Sequence, residues 1–374
     1  MNDNLVPPAA IGMQITDVDT PALLLNLDVF ENNRIKLKKQ LTETKTNFRP
    51  HSKSHKCPSI AKLQLEDGAI GICCQKVSEA EIMSKAGIKN ILISNQIVGP
   101  TKIQRLVKLS KSASILVCVD NKENINQINN YAKMFDTRIG VLVELDVGTN
   151  RCGVVGEFEV LKLVKLISSH SNLDFIGIQA YQGKAQHVRE YNARKSLVEN
   201  ASQAVKRALD LLRENDFSCK VVSGGGTGTF NFEVESEVFN EVQPGSYVFM
   251  DGDYGRNLDA AGETIDLFGQ SLFLLTTVMS LPSDSRAVVD VGLKSVAVDS
   301  GLPDVCLKGV RYVSASDEHG VLEIPRLIDL KLGDKIKLIP GHCDPTVNLH
   351  DWIVGYRDDK VELVWDIAAR GAFF

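Results

Sequence analysis

The run Val221-Val222-Ser223-Gly224-Gly225-Gly226-Thr227-Gly228-Thr229 begins with two β-branched apolar residues and then places four glycines in the next six positions. β-Branched residues favour a strand, and a glycine cluster ends one in a turn whose bare backbone can approach an anion. Working outward, the same alternation of short apolar run, turn and longer amphipathic segment recurs along the chain. Strands are predicted near 47–49, 69–73, 91–94, 115–119, 140–146, 175–180, 220–223 and 241–243, with helix-like stretches between them. Eight strand–helix repeats predict an α/β chain built as a closed (β/α)8 barrel rather than an open doubly wound sheet. A barrel of this kind gathers its functional side chains at the C-terminal ends of its strands. Polar residues fall there: Lys53 after the first strand, Asn95 and Gln96 after the third, and Asp120 and Asn121 after the fourth. Arg151 follows the fifth, Tyr181 and Gln182 the sixth, and the glycine run the seventh.

After about Asp251 the texture changes to strands and turns, with apolar runs near 272–279, 287–291, 310–314, 320–324, 335–338 and 361–365. This predicts a β-rich C-terminal domain. The strand-like segment 20–27 precedes the first barrel helix and is expected to cross over and join it. The division is therefore a barrel over 28–250 and a β domain made of 1–27 with 251–374.

Two further segments carry chemistry. Arg49-Pro50-His51-Ser52-Lys53-Ser54-His55-Lys56 places Arg49, His51 and Lys53 on one face if the chain stays extended. Crowding by cations and partial burial favour the neutral amine, the form that condenses with an aldehyde. An imine-forming lysine together with a phosphate cradle points to pyridoxal phosphate. Pro340-Gly341-His342-Cys343-Asp344-Pro345-Thr346 sets an imidazole and a carboxylate two residues apart. In an extended backbone both would face one side and, completed by water, would suit magnesium, manganese or cobalt, with Cys343 turned away.

Composition narrows the partners. The 374 residues carry a net charge of −5 without a long basic run, which predicts neither nucleic acid nor a membrane as partner. The start, MNDNLVPPAAIGMQ, lacks the pattern of a secretory leader, and eight irregularly spaced cysteines indicate neither a disulfide framework nor a zinc ribbon. A cytoplasmic protein is expected.

Four motifs in order resemble one family: Arg49-Pro50-His51-x-Lys53-x-His55-Lys56, the Ser223–Thr229 run, Pro244-Gly245-Ser246-Tyr247 with Asp251, and His342-x-Asp344-Pro345-Thr346. Over essentially its whole length the chain resembles the D-threonine aldolase and D-serine dehydratase family, relatives of alanine racemase with a pyridoxal-phosphate barrel followed by a β domain. The resemblance implies Lys53, rather than Lys56, as the imine lysine. It further implies Arg151 and Tyr181 at the cofactor ring, Ser223, Gly224, Gly225, Gly226 and Thr227 around its phosphate, and Tyr247 and Asp251 in the cofactor site. His342 and Asp344 would hold the divalent metal, and His187 would be the catalytic base. Dehydratases resemble a His-x-Cys metal pattern and aldolases His-x-Asp, so Asp344 implies the aldolase. The activity implied is cleavage of a small β-hydroxy-D-amino acid to glycine and an aldehyde, by a homodimer. The alternatives are 3-hydroxy-D-aspartate as substrate, or dehydration to a keto acid and ammonia.

Overall fold

The computed structural model describes residues 6–374; residues 1–5, part of the predicted 1–27 segment and of the stretch read for a leader, lie outside the described residues. Strand β1 (Ala22–Asn26) leads straight into α1 (Leu27–Thr42), because the Asn26 side chain caps the helix by accepting from the Val29 N–H. Eight short parallel strands follow: β2 (Asn47–Phe48), β3 (Ile72–Cys74), β4 (Asn90–Gln96), β5 (Ser114–Val119), β6 (Ile139–Glu144), β7 (Leu173–Gln179), β8 (Val221–Gly224) and β9 (Glu241–Val242). Six helices connect them: α2 (Pro58–Glu66), α3 (Val77–Lys85), α4 (Pro100–Leu109), α5 (Lys122–Met134), α6 (Glu157–Ser168) and α7 (Tyr191–Glu214), and the short α8 (Phe230–Glu235) joins β8 to β9.

These strands pair in the order β2-β9-β8-β7-β6-β5-β4-β3. The ring closes through Ile70 N–H to Phe48 O at 3.1 Å, Cys73 N–H to Pro50 O at 2.9 Å, and a parallel bridge between His51 and Cys73. The predicted barrel is therefore present. Its strands read as almost continuous apolar runs, as in Ile91-Leu92-Ile93 and Val141-Leu142-Val143, because both faces are covered. Outward residues pack under the helices, while Cys73, Leu92, Cys118 and Leu142 fill a layer inside the ring.

The remaining strands are β10 (Leu272–Ser283), β11 (Arg286–Val289), β12 (Asp304–Val305), β13 (Arg311–Ala315), β14 (Gly320–Glu323), β15 (Lys335–Ile339), β16 (Trp352–Arg357) and β17 (Lys360–Asp366), with α9 (Cys343–Val347) between β15 and β16. They form a mixed sheet with the main path β13-β14-β11-β10-β1-β16-β17, and β15 pairs with β10 and β12. β1 lies inside this sheet, antiparallel to β10 and parallel to β16. β16 was absent from the sequence reading, although its hairpin signal was present. The two residues joining β16 to β17 are Asp358 and Asp359, with φ of 47° and 59°, the paired left-handed conformation of a type I′ hairpin turn. Among the described residues, no helix is long and apolar enough to cross a membrane.

Candidate active site

The mouth of the barrel holds a cleft whose wall includes His51, Lys53, Arg151, Tyr181, Gly226, Thr227 and Tyr254. Pro50 and the turn after it shape the first wall. β2 ends at Phe48 and residues Ser52–Ser54 form a single 3-10 turn, in which His51 Nδ1 accepts from the Lys53 N–H at 3.3 Å. Ser52 Oγ donates to Glu79 Oε1 at 2.6 Å and so ties that turn to α3. The extended face expected for Arg49, His51 and Lys53 is therefore broken, and the three side chains part. Arg49 drops to the barrel floor, 3.1 Å from Glu241 and donating to Asn90 Oδ1 at 2.8 Å. His51 Nε2 meets Gln75 Oε1 and Ser94 Oγ, each at 3.1 Å. Lys53 alone among these cations reaches out to the C-terminal domain, where its Nζ is paired with Asp344.

The electrostatics of Lys53 are accordingly the reverse of the expectation. Burial opposes its charge, but the Asp344 carboxylate outweighs burial and raises the ammonium above its ordinary value. Burial alone would raise Asp344, yet Lys53 holds it well below the usual carboxylate range. Burial, aided by the Lys53 charge, pushes His51 down to about 3, so this imidazole is neutral. Lys56 does not line the cleft; its charge acts on buried Glu79.

The glycine run supplies a second wall. A β-carbon on Gly226 would sit 2.5 Å from Gln186 Oε1 and 3.2 Å from Tyr181 Oη, so only bare backbone fits there. Beside it, Thr227 Oγ1 is buried without a hydrogen-bond partner. An orphaned hydroxyl on a glycine turn at the end of a barrel strand suits a phosphate. Ser223 lies deeper, donating to Glu241 Oε1 at 2.6 Å, and Gly224 and Gly225 form the turn below the cleft rather than its surface. Across the opening, the Arg151 guanidinium stands 5.8 Å from the Tyr181 ring centroid and 3.9 Å from Glu144. The floor carries Gln179 and Gln243, hydrogen-bonded to each other. Sequence reasoning passed over both amides, because a glutamine in an apolar strand gives no distinctive signal.

Two residues expected in the cofactor site lie outside the lining of the cleft. Tyr247 is buried in the core against Phe268, its hydroxyl 3.3 Å from Gln64, so it cannot face the cleft. Asp251 is committed to backbone, accepting from Tyr254 N–H at 2.9 Å and from Cys343 N–H at 2.8 Å. Asn95, Gln96, Asp120 and Asn121 are likewise used locally. Gln96 donates to Glu144 at 2.5 Å, Asp120 accepts from the Gly153 N–H, Asn95 donates to Gln75 O and Asn121 caps α5.

The metal motif also departs from its expected geometry. The chain is extended only at His342, which is the N-cap residue of α9, and Asp344 stands in the first helical turn. Pro345 explains this, since proline fits an opening helical turn better than a strand. The argument that Cys343 points away fails with it: its sulfur is buried 3.4 Å from Asp344 Oδ1. The donor set nonetheless fits a divalent ion. His342 Nδ1 is bonded to Asp299 Oδ2 at 2.7 Å, which leaves Nε2 for a ligand, the arrangement by which metal-binding imidazoles are oriented. Asp344 accepts from Ser246 Oγ at 3.1 Å and offers hard oxygens. Among the described residues no cluster of three or more His, Cys, Asp or Glu is found, so such an ion would complete its shell with water or substrate oxygen.

His187 closes the rim. It ends a 3-10 turn at Lys184–His187, its ring lies 5.9 Å from that of Tyr254, and its Nδ1 is hydrogen-bonded to Asp253.

This assembly has clear counterparts. The family model described as alanine racemase, N-terminal domain, matches residues 25–253, and a putative serine dehydratase domain matches 271–356. The chain belongs to the alanine racemase-like family of D-threonine aldolases and D-serine dehydratases. Within that family it is 46% identical over 97% of its length to a 3-hydroxy-D-aspartate aldolase of Paracoccus denitrificans, covering 95% of that protein. A D-threonine aldolase of an Arthrobacter species is 44% identical over 98% of this chain and 97% of its own. The crystal structure of D-threonine aldolase from Filomicrobium marinum superposes with a TM-score of 0.96 at 43% identity, over 98% of this chain and all of that one.

Proposed function

We propose that this protein cleaves β-hydroxy-D-amino acids of the D-threonine type to glycine and an aldehyde, using pyridoxal 5'-phosphate and a divalent metal. 3-Hydroxy-D-aspartate, which would give glyoxylate, is the nearest alternative substrate. The observation that carries the reading is the direct pairing of Lys53 with Asp344, which brings the imine-lysine motif of the barrel against the metal motif of the second domain. When bound, the cofactor supplies an electron sink beside the α-carbon and the ion supplies a Lewis acid for the β-hydroxyl. Lys53 would carry the cofactor, Gly226 and Thr227 would receive its phosphate, and Arg151 and Tyr181 would flank its ring. His342 and Asp344 would hold manganese, magnesium or cobalt. His187 offers Nε2 toward the β-hydroxyl proton, because its Nδ1 is already engaged.

The identities to two aldolases support carbon–carbon cleavage over loss of water, as does Asp344 in place of a thiolate. A homodimer acting on a small substrate belongs to the same proposal. So does a cytoplasmic location, which suits eight free cysteines. The test is product analysis of cofactor-loaded protein with D-threonine and with 3-hydroxy-D-aspartate, with manganese added or chelated. Glycine plus aldehyde, formed only with metal, is expected. A keto acid and ammonia would make the protein a dehydratase.

A further inference from the structure

We propose that Asp253 is the positioning residue of this site: its carboxylate fixes the His187 imidazole and ties it to the turn that carries His342 and Asp344. This rests on the reading of His187 as the base.

The geometry is specific. Asp253 is almost fully buried, and its two oxygens are divided between partners. Oδ2 accepts from His187 Nδ1, and Oδ1 accepts from Arg189 Nη2. Arg189 Nη1 in turn donates to the Asp253 carbonyl at 2.7 Å and to Asn257 Oδ1 at 2.8 Å, so the arginine grips both ends of the residue. Arg256 adds a longer contact of 3.4 Å to Oδ1. Burial by itself would favour the protonated acid, but these hydrogen bonds outweigh it and hold Asp253 well below the usual carboxylate range. An ionised acceptor on Nδ1 selects the tautomer with the proton on Nδ1 and leaves Nε2 bare to accept one.

The backbone of the same residue completes the link. Gly252 N–H donates to Pro340 O at 3.0 Å and Asp253 N–H to Gly341 O at 3.1 Å, immediately before His342. One residue therefore touches the base through its side chain and the approach to the metal motif through its main chain. The distance between proton acceptor and metal donors is thus set by a single short segment, which is what two groups acting on one hydroxyl require. A purely structural reading would make Asp253 only the anchor of Arg189, indifferent to His187.

Those readings separate experimentally. Asp253→Asn keeps the shape and removes the charge. In cofactor-loaded enzyme it is expected to lower kcat about 10- to 100-fold, the usual cost of losing an orienting partner, with KM and the cofactor absorbance close to wild type. Asp253→Glu should recover part of the loss. In a His187→Ala background, Asp253→Asn should cost nothing further, because the two residues act as one unit. Histidine 15N NMR gives a readout independent of turnover: the His187 signal should report the Nδ1–H tautomer in the wild type and a mixture in Asp253→Asn. Unchanged kcat per loaded site, an equal loss with and without His187, or an unaltered tautomer would overturn the proposal. If the wild type cleaves neither substrate, the functional reading fails, while the NMR result still decides whether Asp253 sets the imidazole.

Discussion

Glu233 lies fully buried under the glycine turn, with Oε1 accepting from Thr229 Oγ1 at 3.0 Å and Oε2 without a partner. Burial pushes it up to about 7 from an ordinary 4.5. Because the folded-state value is raised, the native chain holds this proton more tightly than the unfolded one. The buried acid costs nothing below about pH 4.5, the cost grows as pH rises toward 7, and it is complete above that. One unit is worth about 1.4 kcal/mol, so the ceiling is roughly 3 kcal/mol. Glu233→Gln in cofactor-free protein should therefore raise the melting temperature at pH 8 and change it little at pH 5. Equal shifts at both pH values would show that Glu233 does not titrate in this range. At the residue scale the cleft-lining residues were legible in two ways, Lys53 and Thr227 through short local motifs and Arg151 and Tyr181 through their places after strands. What was not legible was charge compensation across long separations. Arg49 read as a neighbour that would depress Lys53, yet Glu241 neutralises it and Asp344 reverses the sign.

At the scale of elements, the glycine run shows which local signals survive folding. Gly224-Gly225-Gly226 was read as a strand end opening into a cradle, and β8 does end at Gly224, with Gly225 turning at a φ of 70°. The requirement for glycine is steric at Gly226, where a methyl group would meet Gln186. Gly226→Ala is expected to weaken pyridoxal phosphate binding and to cost about 1–3 kcal/mol of overpacking, read as a rise in the apparent Kd from absorbance titration. Gly255→Ala, where a β-carbon meets open space, should leave that Kd unchanged. Loss of affinity in both variants would remove the steric explanation. The helix α9 shows the converse. A two-residue spacing was read with strand periodicity, but Asp251 accepts from the Cys343 N–H and Thr346 Oγ1 donates to His342 O at 2.7 Å, so side chains from inside and outside the motif stabilise a helical turn. Only Pro345 signalled this locally.

On the scale of the whole molecule, β1 makes the two halves interdependent. The repeat pattern made the barrel legible, and the crossover of segment 20–27 was read from its position before the first helix, but strand neighbours in the mixed sheet depend on contacts no local pattern records. Ala22, Leu23, Leu24 and Leu25 are all buried. Leu23 and Leu25 belong to a core that also contains Phe30 of α1, Phe48 and Val242 of the barrel, and Leu272 and Leu274 of β10. Ala22 and Leu24 face the other side of the sheet, with Val354 and Val361. Removing residues 1–26 would expose two cores and leave one edge of β10 and one edge of β16 without a partner. Three buried leucines at about 2 kcal/mol each give roughly 6 kcal/mol, within the range of a protein's entire net stability. The proposed division into a barrel over 28–250 and a composite β domain therefore predicts that a 27–374 chain fails to give a cooperative melt in either half. The same should hold for the isolated 28–250 barrel, whose α1 would lose its partner surface. Adding a separate peptide spanning 6–26 should restore part of the melting transition of 27–374, because the missing strand can pair without being covalently joined. A 27–374 chain that melts like the full protein would show that β1 is dispensable and that the barrel's core is self-sufficient.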